Sequence, residues 1–234
     1  MQLLDLKNDG IDIQEKVPLS KYTFTKTGGP AEFLAFPKNI DQLEQLVQVT
    51  RENNIPLTVI GNASNLIIRE GGIDGLVVIL TEMSQITVNG TEVTAEAGAR
   101  IIDTAFTAAK AALSGMEFAA GIPGSVGGGV FMNAGAYGGE TQEVVKTVNV
   151  MTKDGEFKTY SNEEMEFSYR HSLVQENGDI VLSATFELKK GEKDKILDEM
   201  NYLNALRRYK QPLEYPSCGS VFKRPKGHFV GPMI

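Results

Sequence analysis

Tryptophan is absent from this 234-residue chain, cysteine occurs once and histidine twice. The missing tryptophan by itself excludes little. The single cysteine, Cys218, excludes an intrachain disulfide and a cysteine-based metal cluster, and it suits a reducing cytoplasm. Basic residues are outnumbered, 23 Lys and Arg against 30 Asp and Glu, giving a net charge of −7. That balance disfavours broad contact with nucleic acid or an anionic membrane, yet leaves room for a local basic pocket that takes a phosphorylated small molecule. No apolar run reaches the ~18 residues of a membrane-spanning helix. Residues 1–10 are charged and lack the apolar core of a signal peptide. A cytoplasmic protein without membrane insertion is expected, acting as a monomer and holding no metal.

What is present is enough apolar residue, 41%, for a sizeable core, and 24 glycines, roughly a tenth of the chain against an average of about 7%. Residues 31–36 read as a strand stopped by Pro37. Asn39 then caps a helix carrying Ile40, Leu43, Leu46, Val47 and Thr50 on one face, closed by Asn53 and Asn54. Strands are expected over 56–60 and 76–80, and a hairpin over 86–97 turning at Asn89-Gly90. An Ala-rich helix is expected over 101–113. Further strands are expected over 144–151 and 180–188, with Asp154-Gly155 as a turn. Residues 193–209 read as a helix burying Ile196, Leu197, Met200, Leu203 and Leu206. Residues 12–26 are mixed and polar, and 210–234 are rich in Pro and Gly. The mixture is α+β, with a boundary near Lys190.

Two stretches stand out. In Gly61-Asn62-Ala63-Ser64-Asn65-Leu66 a strand runs into a Gly-led polar turn. Successive main-chain N–H groups in such a turn can converge on an anion, although an ordinary polar turn has the same composition. The turn matches neither the G-x-G-x-x-G dinucleotide fingerprint nor the G-x-x-x-x-G-K-[ST] phosphate loop. The second stretch lies within residues 115–139, where nine of 25 residues are glycine. It is expected to be mostly irregular, and so long a loop in a compact domain points to function. Gly121, Pro123, Gly124, Ser125, Gly127, Gly128, Asn133, Gly135, Ala136 and Tyr137 are its candidate contacts. Many amides and no basic side chain suit a flat, polar, anionic cofactor held by main-chain contacts. A flexible tether would waste Ile122, Val126, Val130, Phe131 and Met132.

In this order the two stretches resemble the FAD-binding segments of the vanillyl-alcohol-oxidase-like flavoproteins, and of the UDP-N-acetylenolpyruvoylglucosamine reductase (MurB) family in particular. Thr25-Lys26-Thr27-Gly28-Gly29-Pro30-Ala31 is similar to that family's N-terminal FAD segment. Phe167-Ser168-Tyr169-Arg170-His171-Ser172 is similar to its Tyr-Arg motif. Pro216-Ser217-Cys218-Gly219-Ser220-Val221-Phe222-Lys223-Arg224-Pro225 is similar to its catalytic-serine motif. The resemblance runs from about Tyr22 to Ile234 and is to the shorter class common in Gram-positive bacteria.

The resemblance implies a two-subdomain FAD-binding fold, residues 1–82 and 83–190, followed by an incomplete α+β substrate domain, residues 191–234. Such enzymes reduce the enolpyruvyl ether of UDP-N-acetylglucosamine to the lactyl ether of UDP-N-acetylmuramate, with FAD as relay and NADPH as hydride donor, in peptidoglycan precursor synthesis. Arg170 carries the family's enolate-stabilising role, for which a permanent, forked cation is suited. Ser220 carries the role of proton donor to C2. Tyr169, Arg207, Arg208 and Lys210 fall in substrate-binding positions. Without the resemblance, Arg170 reads as a surface residue, Ser220 as a turn serine, and the basic trio as a complement to a helix C-terminus. The family's late catalytic glutamate has no counterpart before Gly231-Pro232-Met233-Ile234, and Glu214 is not assigned its role. An inactive FAD-binding piece is therefore one alternative. Another flavin oxidase or dehydrogenase is a second. Neither FAD segment holds His or Cys, so the flavin is expected to be noncovalent. A Cys-His hydrolase using Cys218 with His171 or His228 meets only the minimum inventory.

Overall fold

The computed structural model describes residues 3–225, 227, 228, 230 and 233. Met1 and Gln2, and Gly231, Pro232 and Ile234 of the terminal run noted above, lie outside the described residues. The strands and helices run β1 (Asp12–Pro18), β2 (Pro30–Phe36), α1 (Ile40–Glu52), β3 (Leu57–Ile60), β4 (Ile73–Ile79), β5 (Ile86–Asn89), β6 (Glu92–Glu96), α2 (Ile101–Lys110), β7 (Leu113–Ser114), α3 (Val126–Phe131), β8 (Gly135–Ala136), β9 (Gly139–Glu140), β10 (Val145–Met151), β11 (Phe157–Ser161), α4 (Val174–Asn177), β12 (Ile180–Glu187), β13 (Lys189–Lys190) and α5 (Lys193–Lys210).

Two main sheets organise them. The first is four-stranded, in the order β1-β2-β4-β3. Both β2 and β3 pair parallel with β4 between them, so the chain crosses over through α1 to bring β3 into place. Asn39 starts that helix: its Oδ1 accepts the Gln42 amide at 2.9 Å, while Gln42 Oε1 accepts the Lys38 amide at 2.8 Å. Two donors at the helix entrance are thereby satisfied reciprocally. Leu43, Leu46, Val47, Val49 and Thr50 are buried, whereas Ile40, expected on the same face, stays 38% exposed at the first turn. The second sheet is five-stranded and antiparallel, in the order β11-β10-β12-β6-β5. The β5–β6 hairpin turns at Gly90 and Thr91, with Gly90 left-handed at φ 61°.

Three elements depart from expectation. Residues 12–18 form the edge strand β1, although only Ile13 and Val17 of its seven residues are buried. An edge strand with two inward side chains carries little hydrophobic signature. The Ala-rich helix stops at Lys110, because Ala112 turns left-handed at φ 56° and Leu113 enters β7. In the glycine-rich stretch, residues 126–131 are helical despite Gly127, Gly128 and Gly129 in succession. The glycines serve contact here. A Cβ on Gly127 would stand 2.9 Å from Ala97 Cβ, and one on Gly129 would stand 2.5 Å from Ile101 Cδ1. At that spacing only a side-chain-free helix face fits against β6 and α2.

On α5, Ile196 and Met200 are buried, while Leu197, Leu203 and Leu206 are half-buried. Among the described residues, no helix is long and apolar enough to cross a membrane.

Candidate functional site

A cleft enclosing about 2860 Å³ runs between the two sheets and out beneath α5. The turn after β3 lines it from one side and the glycine-rich stretch from the other. Although Asn62 and Pro123 are 61 positions apart in sequence, the two stretches touch. Asn62 Nδ2 donates to the Pro123 carbonyl at 2.6 Å. A Cβ on Gly61 would lie only 2.0 Å from Ser125 Oγ, so that contact depends on glycine. Ser125 is held in turn as the cap of α3, its Oγ accepting the Gly128 amide at 3.3 Å.

Main-chain donors concentrate at this junction. Among the described residues, the amides of Asn62, Ala63, Ser64, Asn65 and Leu66 donate to no protein acceptor. Ala63 is left-handed at φ 45° and only 6% exposed. A left-handed residue within such a turn swings consecutive N–H groups towards one point and makes a concave anion cradle. Amides on a cleft wall that make no bond within the protein are free to meet an acceptor from outside the chain. The residues present therefore fit an anionic group held by main-chain amides.

Of the candidate contacts, Gly61, Asn62, Ala63, Ser64, Asn65, Leu66, Gly121, Pro123, Gly124, Ser125, Gly127, Gly128, Gly135, Ala136 and Tyr137 all line the cleft. Asn133 does not: it is fully buried behind the wall, and its amide is consumed by protein partners.

The Tyr-Arg motif sits beside this wall. Ser168 and His171 exchange main-chain hydrogen bonds of 3.2 and 3.1 Å, closing a tight turn with Tyr169 and Arg170 at its tip. Arg170 is left-handed at φ 58°. Its Nη1 donates to Asn133 O and its Nη2 to Gly135 O, both at 3.1 Å. Its Cζ lies 5.2 Å from the centre of the Tyr169 ring. Among the described residues it forms no ion pair. The guanidinium is thus aimed by carbonyls and not neutralised, with donors left over for a carboxylate.

Ser220 lines the same cleft from an exposed segment after α5. Tyr169 Oη accepts the Arg224 amide at 3.3 Å and ties that segment to the Tyr-Arg turn. Arg207, Arg208 and Lys210 also line the cleft. Arg207 packs against the glycine stretch: a Cβ on Gly121 would lie 3.0 Å from its Cδ. Burial pushes the Arg207 pKa below the usual arginine value, with nearby Tyr137 acting in the opposite direction. Among the described residues Arg207 has no carboxylate partner, and a half-buried guanidinium so placed favours an incoming anion. Cys218 also lines the cleft, but His171 Nε2 is paired with Glu176 Oε1 at 3.0 Å and no hydrogen bond joins Cys218 to either histidine among the described residues. The hydrolase alternative has no assembled dyad.

Residues 31–161 match the family model described as an FAD binding domain. The fold and the amide-lined cleft define an FAD-binding flavoprotein of the vanillyl-alcohol-oxidase type. A cholesterol oxidase from Brevibacterium sterolicum shares that fold, with a TM-score of 0.60 at 17% identity over 78% of this chain and 38% of its own. The UDP-N-acetylenolpyruvoylglucosamine reductase of Lactobacillus acidophilus is 78% identical over all 234 residues, which span 78% of its length. That of Lactobacillus gasseri is 71% identical over 236 aligned positions, covering 100% of this chain and 78% of its own. The solved structure of UDP-N-acetylenolpyruvylglucosamine reductase (MurB) from Thermus caldophilus superposes with a TM-score of 0.83 at 33% identity, over 96% of this chain and 79% of that one. The chain belongs to the family of UDP-N-acetylenolpyruvoylglucosamine reductases, and it is an oxidoreductase.

Proposed function

We propose that this chain reduces UDP-N-acetylglucosamine enolpyruvate to UDP-N-acetylmuramate with NADPH, in the cytoplasm, as a step of peptidoglycan precursor synthesis. The observation that carries the proposal is the run of amides from Asn62 to Leu66, which among the described residues meet no protein acceptor and line one cleft with the second glycine stretch. Residues 1–82 and 83–190 act as the two FAD-binding subdomains, and residues 191–234 belong to the substrate-binding part. Bound FAD supplies the hydride relay between NADPH and the enolpyruvyl group.

The chain's own residues do the rest. Amides of Asn62 to Leu66 hold the anionic part of the cofactor, with Gly121, Pro123, Gly124, Ser125, Gly127, Gly128, Gly135, Ala136 and Tyr137 along its opposite side. Arg207, Arg208 and Lys210 take the diphosphate of the nucleotide sugar, with Tyr169 at the substrate's edge. Addition of hydride at C3 places negative charge over C2 and the adjoining carboxylate. A preorganised guanidinium there stabilises that charge without reorganising in the reaction. Arg170 is the group suited to it. Ser220 gives its hydroxyl proton to C2, which completes the reduction.

An absorbance spectrum tests the cofactor, since purified protein should carry noncovalent flavin that denaturation releases. Ser220→Ala tests the chemistry. Absorbance loss on adding NADPH should proceed within about threefold of the unsubstituted rate, while its return on adding the enolpyruvyl substrate slows by about 10²–10⁴-fold, the usual worth of a positioned proton donor. Equal slowing of both phases would make Ser220 structural. Bleaching with no recovery in the unsubstituted chain would leave an FAD-binding module.

A further inference from the structure

Asn133 does not line the cleft, yet it bonds both to Arg170 and to the turn that carries it. Its side chain is fully buried, and its backbone is left-handed at φ 39°. Both amide hydrogens are committed, one to Glu140 Oε2 at 3.1 Å and one to the Ser168 carbonyl at 3.0 Å. Its Oδ1 accepts the Gln142 amide at 3.0 Å. Its own carbonyl receives Arg170 Nη1 at 3.1 Å. One residue therefore grips the Tyr-Arg turn twice, at the main chain through Ser168 and at the guanidinium.

Glu140 completes the frame. Gly135, whose carbonyl receives Arg170 Nη2, pairs with Glu140 in the short β8–β9 ladder. A Cβ on Gly135 would meet Glu140 Cγ and the Gly139 carbonyl at 2.7 Å each, so the two strands are in close contact. Glu140 Oε2 also accepts Gln142 Nε2 at 3.0 Å. Both carbonyls that aim the guanidinium are thus anchored by a single Asn133–Glu140–Gln142 network. Left-handed backbone at both Asn133 and Arg170 is unfavourable for residues with a Cβ, and it persists where surrounding contacts over-determine it.

We propose that Asn133, braced by Glu140, is a positioning residue that sets the direction of the Arg170 guanidinium. The inference rests on the reading of Arg170 as the charge-stabilising group, and it goes beyond that reading by naming what orients it.

The test uses the full chain loaded with FAD and compares Asn133→Ala, Glu140→Ala and Arg170→Ala with the unsubstituted protein. Glu140→Ala removes the brace from a half-buried side chain and serves where Asn133→Ala does not fold. Two readouts are taken: the rates of the two half-reactions, and hydrogen exchange over residues 166–173. Bleaching by NADPH should stay within about threefold, while reoxidation by the enolpyruvyl substrate slows by about 10²-fold, the scale of an ångström-sized misplacement. Asn133→Ala combined with Arg170→Ala should be no slower than Arg170→Ala alone, because both remove one function. Exchange over residues 166–173 should rise by about tenfold or more, with that over α5 unchanged. Exchange equal to the unsubstituted protein overturns the inference whatever the rates show. So does a parallel fall of both half-reactions with loss of FAD, which is the mark of a merely structural residue. A different outcome, in which the unsubstituted protein fails to be reoxidised while its variants still show faster exchange, overturns the catalytic reading of Arg170 and leaves Asn133 as the residue that sets its geometry.

Discussion

Gly61→Ala should sharply weaken FAD binding, and a second substitution should restore it. Gly61 is not left-handed, so alanine brings no backbone strain, and the whole effect lies in the added methyl group. That Cβ would stand 2.0 Å from Ser125 Oγ, and the two loops must part by about 1.4 Å to reach ordinary contact. Parting them breaks the 2.6 Å bond from Asn62 to Pro123, worth about 1 kcal/mol. Overpacking adds about 1–3 kcal/mol. Both loops line the cleft, so in the empty protein they can part towards open space. The cost therefore falls on cofactor binding, which needs them together. A total of about 2–4 kcal/mol is roughly a 30- to 900-fold rise in Kd, measured by flavin fluorescence quenching, with little change in the melting temperature of the flavin-free protein. Ser125→Gly removes both Oγ and the Cβ at 3.1 Å, leaving the Gly128 amide at 3.9 Å as the nearest remaining neighbour. Replacing that cap by glycine costs only a few tenths of a kcal/mol. The double variant should recover to within about tenfold of the original affinity. Normal FAD binding by Gly61→Ala, or a double variant no better than the single, would refute the claim that these two loops close on each other.

Two further substitutions test the framework by thermal unfolding. Glycine to alanine inside a helix usually stabilises by up to about 1 kcal/mol, but Gly127→Ala should destabilise by about 1–3 kcal/mol, because Ala97 Cβ at 2.9 Å and its carbonyl at 3.2 Å have little room to yield; a raised melting temperature would contradict the packing role given to the glycine run. Tyr160 Oη donates to Asp179 Oδ2 at 2.8 Å, and that bond, with burial and the Asp179 charge behind it, raises the tyrosine pKa above 10.0. A raised folded pKa means the contribution is complete below the unfolded value and fades as pH climbs through the folded one. Tyr160→Phe should therefore cost about 1 kcal/mol at neutral pH, the low end because the ring is partly solvated, and the gap to the unsubstituted protein should close above about pH 10; a gap independent of pH would point to packing alone.

Much of the framework was legible because local chemistry and tertiary structure agree there. Asn39 followed by an apolar stripe announces α1, and Asn89-Gly90 between alternating residues announces the β5–β6 hairpin. The edge strand β1 was not legible, since an edge with two buried side chains lacks the alternation that marks a half-covered strand. The short helix α3 was concealed by its three glycines, which read as loop until the neighbouring Ala97 and Ile101 are placed against them. A signal was available in Ser125 as cap with Val126 and Val130 spaced four apart, both buried. Main-chain recognition at Asn62–Leu66 could be anticipated because glycine and small polar residues leave amides exposed. The place of Asn133 could not: its meaning comes from Glu140, Ser168 and Arg170 converging on one buried amide, and no local pattern encodes that meeting.

Backbone strain marks the cleft independently of any motif. Among the described residues nine non-glycine residues are left-handed, and Lys26, Asn54, Ala63, Tyr137 and Arg170 of these line the cleft while Asn133 backs it. Asparagine tolerates this conformation, but for the other residue types it costs about 1–2 kcal/mol relative to an ordinary one. Strain spread by accident would fall on surface turns throughout the molecule; here Ala63, Tyr137 and Arg170 lie on the walls of the cleft and Asn133 directly behind them, whereas Asn54 closes α1. Ala63 shows what such strain can achieve, because a left-handed residue in a turn of this kind can aim neighbouring amides at a single anion. Arg170 shows the same principle for a side chain, since a right-handed residue at the tip of the Ser168–His171 turn would send the guanidinium elsewhere than to the Asn133 and Gly135 carbonyls. Stability is given up at the positions that must present charge or donors before a ligand arrives, and the well-packed strands of the two sheets supply the stability that holds them there.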